Sequence, residues 1–355
     1  MSAVHVVVPE GVHDPGRPSG GNTYDRRICA GLVASGWSVH EHAVPGPWPS
    51  PDAAARAALA GVLAKIPDRS LVLLDGLVAS TVPELLVPQA GRLCLVVLVH
   101  MPLGGGFPGG DVAHARALEG PVLASAGAVI ATSRWSRRWL LDTYALPPER
   151  VHVAEPGVDA AELAEGTAGG GELLCVGAYT QAKGYDVLLA SLAIVRDRPW
   201  HCLCVGTTAG DASFVDQLGS AAATAGVDER VRFTGPLAGA DLDRAYASAD
   251  VLVLASRAET YGMVVTEALA RGLPVIATAV GGLPEALGQV ADGSRPGLLV
   301  PPGDPWRFAV ALRYWLTDAE ARERLRLAAR ERRASLSSWS DTTDRVARVL
   351  TEVTS

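Results

Sequence analysis

The stretch Ser256-Arg257-Ala258-Glu259-Thr260-Tyr261-Gly262-Met263-Val264-Val265-Thr266-Glu267 decides the fold and most of the chemistry. Ahead of it, Val251 to Ala255 is a short apolar run of the kind buried in a parallel sheet. Behind Gly262, Met263 to Arg271 is patterned as a helix that Gly272 closes. Strand, loop and helix in that order carry Glu259 over the carboxyl end of a sheet, where open α/β folds bind ligands. Glu267 falls one turn beyond Met263, toward the same crevice. The amides of Gly262, Met263 and Val264 open the helix and can receive an anionic oxygen. Amides for a phosphate between two carboxylates for hydroxyls suit a nucleotide sugar.

Working outward, apolar runs alternate with amphipathic helical segments along the whole chain, the signature of parallel α/β architecture. Strands are expected at Val4–Val8, Ser38–Val44, Leu71–Leu74, Leu93–Val99, Ala128–Ala131 and Val151–Ala154. Past a linker of Ala, Gly and Glu from Asp159 to Gly171 they restart at Glu172–Val176, His201–Val205, Val231–Thr234, Val251–Ala255, Pro274–Ala277 and Gly297–Val300. The chain of 355 residues therefore divides into domains 1–160 and 161–337 facing a cleft, with a terminal helix at about 338–355 packing back on the first.

Composition narrows the class. Net charge is −7 with both signs interspersed, which argues against nonspecific nucleic-acid binding. Cys29, Cys94, Cys175, Cys202 and Cys204 form no CxxC pattern and read as free thiols of a reducing compartment. The first apolar run is a strand rather than a signal segment, and the run 93–99 is too short to span a membrane. A cytoplasmic protein without stable membrane insertion is expected.

Three further segments carry chemistry. The first strand feeds a loop ending Ser19-Gly20-Gly21-Asn22, a glycine turn into a helix that fits phosphate binding. Asn22 with Asp25 resembles a capping box, and a plain solvent loop is the bland alternative. His100 ends an apolar strand and precedes Gly104 to Gly110, a mobile glycine-rich segment; it suits a substrate hydroxyl or a structural bond to backbone. Lys183 lies in the loop Val176-Gly177-Ala178-Tyr179-Thr180-Gln181-Ala182-Lys183-Gly184, where an ammonium can neutralise a diphosphate or simply face solvent. Arg134, Arg137 and Arg138 share a helix with Trp135 and Trp139, either an acceptor or lipid face or ordinary snorkelling arginines.

Together these pieces resemble the family-4 retaining glycosyltransferases of GT-B fold, an α/β class with two Rossmann-like parallel-sheet domains. The resemblance covers nearly the whole chain: the Gly20-Gly21 loop, His100, the Lys183-Gly184 loop, Glu259 to Glu267, then Val280-Gly281-Gly282-Leu283-Pro284-Glu285 and Gly297 to Pro305. It implies that Glu259 contacts donor-sugar hydroxyls with the amides of Tyr261, Gly262, Met263 and Val264, and that Glu267 holds the ribose. Lys183, Gly20 and Gly21 would bind the diphosphate. His100, Lys183 and Glu259 are the catalytic candidates; Asn22, His100 and Arg134 are the acceptor-side candidates. An arginine expected shortly after the Val-Gly pair is missing, since Ala178 and Tyr179 stand there, so a cation such as Arg257 would have to be borrowed.

The implied reaction moves a sugar, with a UDP-sugar preferred, to a hydroxyl of a small-molecule acceptor by a front-face route needing no metal and no cofactor. Asp241-Leu242-Asp243 superficially matches the metal-holding DxD of other sugar transferases but fits a helix start better. A homodimer is compatible with this reading. The competing readings are a nucleotide-sugar epimerase on the same fold and a non-catalytic two-lobed sugar- or nucleotide-binding protein. A dehydrogenase is disfavoured by the missing GxGxxG.

Overall fold

The computed structural model describes residues 2–14, 16, 18–105, 111–208 and 212–354. Contacts divide the chain into two compact units, one formed mainly by Pro18–Gly157, the strand before it and the segment from Ser337 onward, the other mainly by Val158–Leu336.

The first unit holds six parallel strands: β1 (Ala3–Pro9), β2 (Ser38–Val44), β3 (Leu71–Asp75), β4 (Cys94–Val99), β5 (Ala128–Ala131) and β6 (Val151–Val153), in the order β2-β1-β3-β4-β5-β6. The central strands are contiguous apolar runs because helices cover both faces; β3 is buried at every residue. The chain reverses direction across the sheet between β1 and β3, which makes their carboxyl ends the ligand-binding position of such a sheet. The terminal helix Trp339–Thr354 belongs to this unit, burying Val346, Val349 and Leu350 in the core it shares with β4, β5 and the helix Gly20–Ala34. Gly31 is obligatory there: a Cβ would stand 2.2 Å from Thr343 Oγ1.

The second unit repeats the plan with β7 (Glu172–Val176), β8 (His201–Val205), β9 (Val231–Thr234), β10 (Val251–Leu254), β11 (Val275–Thr278) and β12 (Gly297–Val300), in the order β12-β11-β10-β7-β8-β9. Counted within the unit this is the 3-2-1-4-5-6 order of a dinucleotide-type sheet, with its switch point between β7 and β10. One continuous core fills it, from Trp200 and Tyr185 to Phe308 and Trp315.

The segment between the units has no regular structure but is tied down. Asp250, at the entrance to β10, accepts from Thr167 Oγ1 at 2.6 Å, from Glu172 N at 2.9 Å and from Arg326 Nη2 at 3.0 Å. That bonding gives Asp250 a structural role. Among the described residues, no helix is long and apolar enough to cross a membrane.

Candidate active site

The loops leaving β7 and β10 meet at the switch point of the second sheet. Gly184 adopts φ +64°, and a Cβ on it would stand 2.1 Å from the Ala255 carbonyl oxygen, so only glycine lets the two loops touch. That approach sets Lys183 beside Glu259, and Lys183 Nζ pairs with Glu259 Oε1. The Ser256 hydroxyl donates to the same oxygen at 3.3 Å. From beneath, Gly281 and Gly282 press on the backbone of this loop. The Gly282 N–H donates to the Glu259 carbonyl at 3.0 Å, and a Cβ on Gly281 would fall 1.6 Å from that oxygen.

The helix Met263–Ala270 starts at Gly262, whose φ of +95° is open to glycine alone, and no side chain caps it. The first-turn amides of Met263 and Val264 therefore have no acceptor among the described residues and point positive charge at the switch point. Tyr261 is buried in the core, which anchors the loop at that end. Glu267 sits on the same helix. Its carboxylate accepts from the buried Tyr246 hydroxyl at 2.8 Å, and Arg271 stacks over the Tyr246 ring at 4.5 Å. Burial raises the Glu267 carboxyl above its ordinary range, against the opposing pull of the Tyr246 bond and Arg271.

The cation expected near Ala178 is not supplied by Arg257. Its guanidinium forms a two-pronged bond to Asp186, at 2.7 and 2.5 Å, and a third to the Gln181 carbonyl. Tyr179 turns inward instead, donating to the Cys204 carbonyl at 2.7 Å. Among the described residues at this site, Lys183 is the cation whose partner is a candidate substrate ligand.

In the first unit, Ser19 and not Asn22 caps the helix Gly20–Ala34: its hydroxyl accepts from Asn22 N at 3.0 Å. The capping-box reading of Asn22 and Asp25 is thereby corrected, because the helix begins two residues earlier. Gly20 and Gly21 are its first two residues, so their amides lie in the first turn. Asp25 is buried and reaches His100 at the end of β4, with Nε2 2.8 Å from Oδ1. Burial works against a charged His100 ring, but the Asp25 carboxylate prevails and lifts it to about 9. Gly21 is the seat of that ring: a Cβ would stand 3.3 Å from His100 Cδ2. Arg134 is exposed and lies 3.4 Å from Glu155, whereas Arg137 is committed to the carbonyls of Val151 and Pro148. The part of the glycine-rich segment at 106–110 lies outside the described residues; Leu103 and Gly104 before it donate their amides to the buried Glu119 at 3.0 Å.

Asp241 and Asp243 stand in the first turn of the helix Ala240–Ala247, but Gly239 is the cap and their carboxylates pair with Arg244 and Arg271. Sequence reasoning missed Tyr246, Asp75 and the pressing role of Gly281 and Gly282. The glycine pair was visible in the motif; nothing local marks Tyr246 or Asp75, whose partners are distant in the chain.

Two six-stranded parallel sheets, each with helices on its faces and a switch point within its strand order, define a protein of the GT-B fold class. Residues 80–162 match the model described as Glycosyltransferase Family 4, and residues 170–318 match that of Glycosyl transferases group 1. The chain belongs to the family-4 glycosyltransferases of GT-B fold. It is 35% identical over 256 residues to a D-inositol 3-phosphate glycosyltransferase of Jonesia denitrificans, covering 66% of this chain and 59% of that one. The enzyme of the same name from Kineococcus radiotolerans is 32% identical over 249 residues, 64% of this chain and 57% of its own. The chain thus spans less than two thirds of the length of these relatives. Among solved structures, sucrose-phosphate synthase from Thermosynechococcus elongatus superposes with a TM-score of 0.79 at 21% identity, over 99% of each chain. HepE from Anabaena, solved with UDP-glucose, gives 0.77 at 18% identity over 99% of this chain and 100% of its own.

Proposed function

We propose that this protein transfers a sugar from a nucleoside-diphosphate donor to a hydroxyl of a small acceptor, with retention at the anomeric carbon. The observation that carries the reading is the Lys183–Glu259 pair beside an uncapped helix start. Glu259 takes donor-sugar hydroxyls, the amides of Met263 and Val264 take phosphate oxygens, and Glu267 takes the ribose. In the first unit, His100 and the Gly20-Gly21 helix start address the substrates, with Asn22 and Arg134 on the acceptor side.

In the step itself, the bond from the anomeric carbon to the diphosphate oxygen breaks and a bond to the acceptor oxygen forms on the same face. The acceptor proton passes to the departing diphosphate, so no protein carboxylate has to act as nucleophile. Lys183 and the helix amides offset the charge that builds on the leaving group. This route calls on no metal. A UDP-sugar is the preferred donor, and the names of the relatives make a phosphorylated cyclic polyol the first acceptor to try.

Thermal-shift measurements with UDP-, GDP-, ADP- and dTDP-sugars test the donor. Stabilisation by one base is expected; stabilisation by none rejects the reading. Incubating that donor with inositol phosphate then separates transfer, which yields a glycosylated polyol, from epimerisation, which changes the donor without acceptor.

A further inference from the structure

The cluster behind His100 poses a charge problem. Asp75 ends β3 and His100 follows the neighbouring strand β4, while Asp25 comes from the helix Gly20–Ala34. One donor atom from each lies within 4.8 Å of the others. Asp25 and Asp75 are 4% and 3% exposed. Two carboxylates and one imidazolium would leave a net negative charge in a low-dielectric interior, which is costly without further partners.

The hydrogen bonds leave one oxygen of the cluster without a donor. Asp25 Oδ1 takes His100 Nε2, but Asp25 Oδ2 is buried and receives nothing from an N–H or hydroxyl. Asp75 Oδ1 takes the Leu77 N–H at 2.6 Å, and a carboxyl oxygen of Asp75 lies within 4.8 Å of one of Asp25. A carboxyl O–H on Asp75 satisfies the orphan oxygen and also brings the summed charge of the three groups to zero.

We propose that Asp75 donates a proton to Asp25 Oδ2, and that this carboxylic acid–carboxylate pair holds His100 as an oriented imidazolium at the carboxyl edge of the first sheet. Asp25 and Asp75 are positioning residues; His100 is the group that meets ligand. Its Nδ1 has no partner among the described residues and so presents a charged N–H to an anionic or hydroxyl oxygen. The ring is held on its other sides by Gly21 and by the edge of Tyr24, centroids 5.1 Å apart.

The titration of the cluster agrees. Burial, then the Asp25 carboxylate, pushes Asp75 up to about 8, and His100 stands at about 9. The other titratable groups near it are Tyr24, Cys29 and Arg345, the last with its Nη1 4.0 Å from Glu155 Oε2. Burial raises Tyr24, which donates to the Ala154 carbonyl, and lifts the Cys29 thiol to about 12. Arg345, on the terminal helix, acts on Tyr24.

The inference deepens the role proposed for His100, but its main test needs no substrate. NMR of histidine-labelled protein, with His100 assigned from a His100→Gln variant, follows ring protonation with pH. His100 is expected to stay protonated through pH 8 in the wild type. Asp25→Asn should drop its pKa by at least about two units, because burial then acts without a counterion. Asp75→Asn is the discriminating variant. Asparagine replaces a neutral acid by a neutral amide donor, so His100 should titrate within about half a unit of wild type. A fall of about one unit or more would mean that Asp75 is ionised, and the proposal fails. Infrared difference spectra give a readout that needs no folded Asp25 variant: a protonated-carboxyl band at pH 7 in the wild type, absent in Asp75→Asn. If that band is lacking in the wild type, the proposal fails. Where transfer is measurable, Asp25→Asn should lower kcat with little change in donor KM; that arm tests the transferase reading separately.

Discussion

Lys183 Nζ and Glu259 Oε1 pair with each other across the switch point of the second sheet, each half-buried and each assigned to a different part of the donor. In the proposed reaction Lys183 leaves Glu259 to meet a diphosphate, which releases Glu259 toward sugar hydroxyls.

Glu259→Gln should therefore separate the two halves of the donor. Freed from its partner, Lys183 binds free nucleoside diphosphate as tightly as wild type or a few-fold more tightly. Turnover of the nucleotide sugar falls by about a hundredfold, the scale for losing a transition-state contact. Calorimetry with the diphosphate and steady-state kinetics with the sugar nucleotide check both arms.

Ala178 stands where relatives of this fold type were expected to carry an arginine, and Arg257 is bound to Asp186. Ala178→Arg should add the second cation and lower donor KM by about tenfold, equivalent to about 1.4 kcal/mol. Arg257→Ala should leave donor KM within about twofold and cost at most about 1 kcal/mol of stability, since its pair with Asp186 is largely exposed.

Tyr246 acts through Glu267 by the 2.8 Å bond to its carboxylate. Tyr246→Phe should raise donor KM about three- to tenfold and reduce discrimination between ribose and 2′-deoxyribose nucleotides. A merely structural role would lower the melting temperature and leave that discrimination intact.

The fold was largely legible because short β-branched and apolar runs alternate with helical segments, the central strands as unbroken apolar runs and the edge strands β2 and β9 with polar residues interspersed. Ser38–Val44, Ala128–Ala131, Glu172–Val176, His201–Val205, Val231–Thr234 and Gly297–Val300 were read with the bounds observed. The helices Gly76–Ala79, Pro83–Leu86 and Leu283–Leu287 were not, since one turn is too short to show a 3.6-residue period. The Lys183 loop and the Glu259–Glu267 stretch were legible because their geometry is local. Asp25 was misread as a cap partner because its spacing from Asn22 imitates a capping box, while its real partner lies 75 residues away.

Stability should fall on the alkaline side. His100 is raised to about 9 from 6.5, so its contribution is complete below pH 6.5 and is lost as pH rises through 9. Asp75, raised to about 8 from 3.8, acts in the same direction over an earlier window: its cost grows as pH rises from 3.8 and is complete above 8. Between pH 6.5 and 9 the His100 proton removes up to about 1.4 kcal/mol per pH unit, or about 3–6 °C in melting temperature for a unit of this size. Melting curves across that range should show the loss, and Asp25→Asn should flatten it.

The central claim is that the second unit binds a nucleotide sugar through Lys183. Titrating UDP-glucose into wild type and Lys183→Ala in a calorimeter tests it most directly, with GDP-, ADP- and dTDP-sugars in parallel. Saturable binding of one donor, weakened at least about tenfold in the variant, is the expected result. Binding of none of the four, or equal binding by both proteins, would contradict the account.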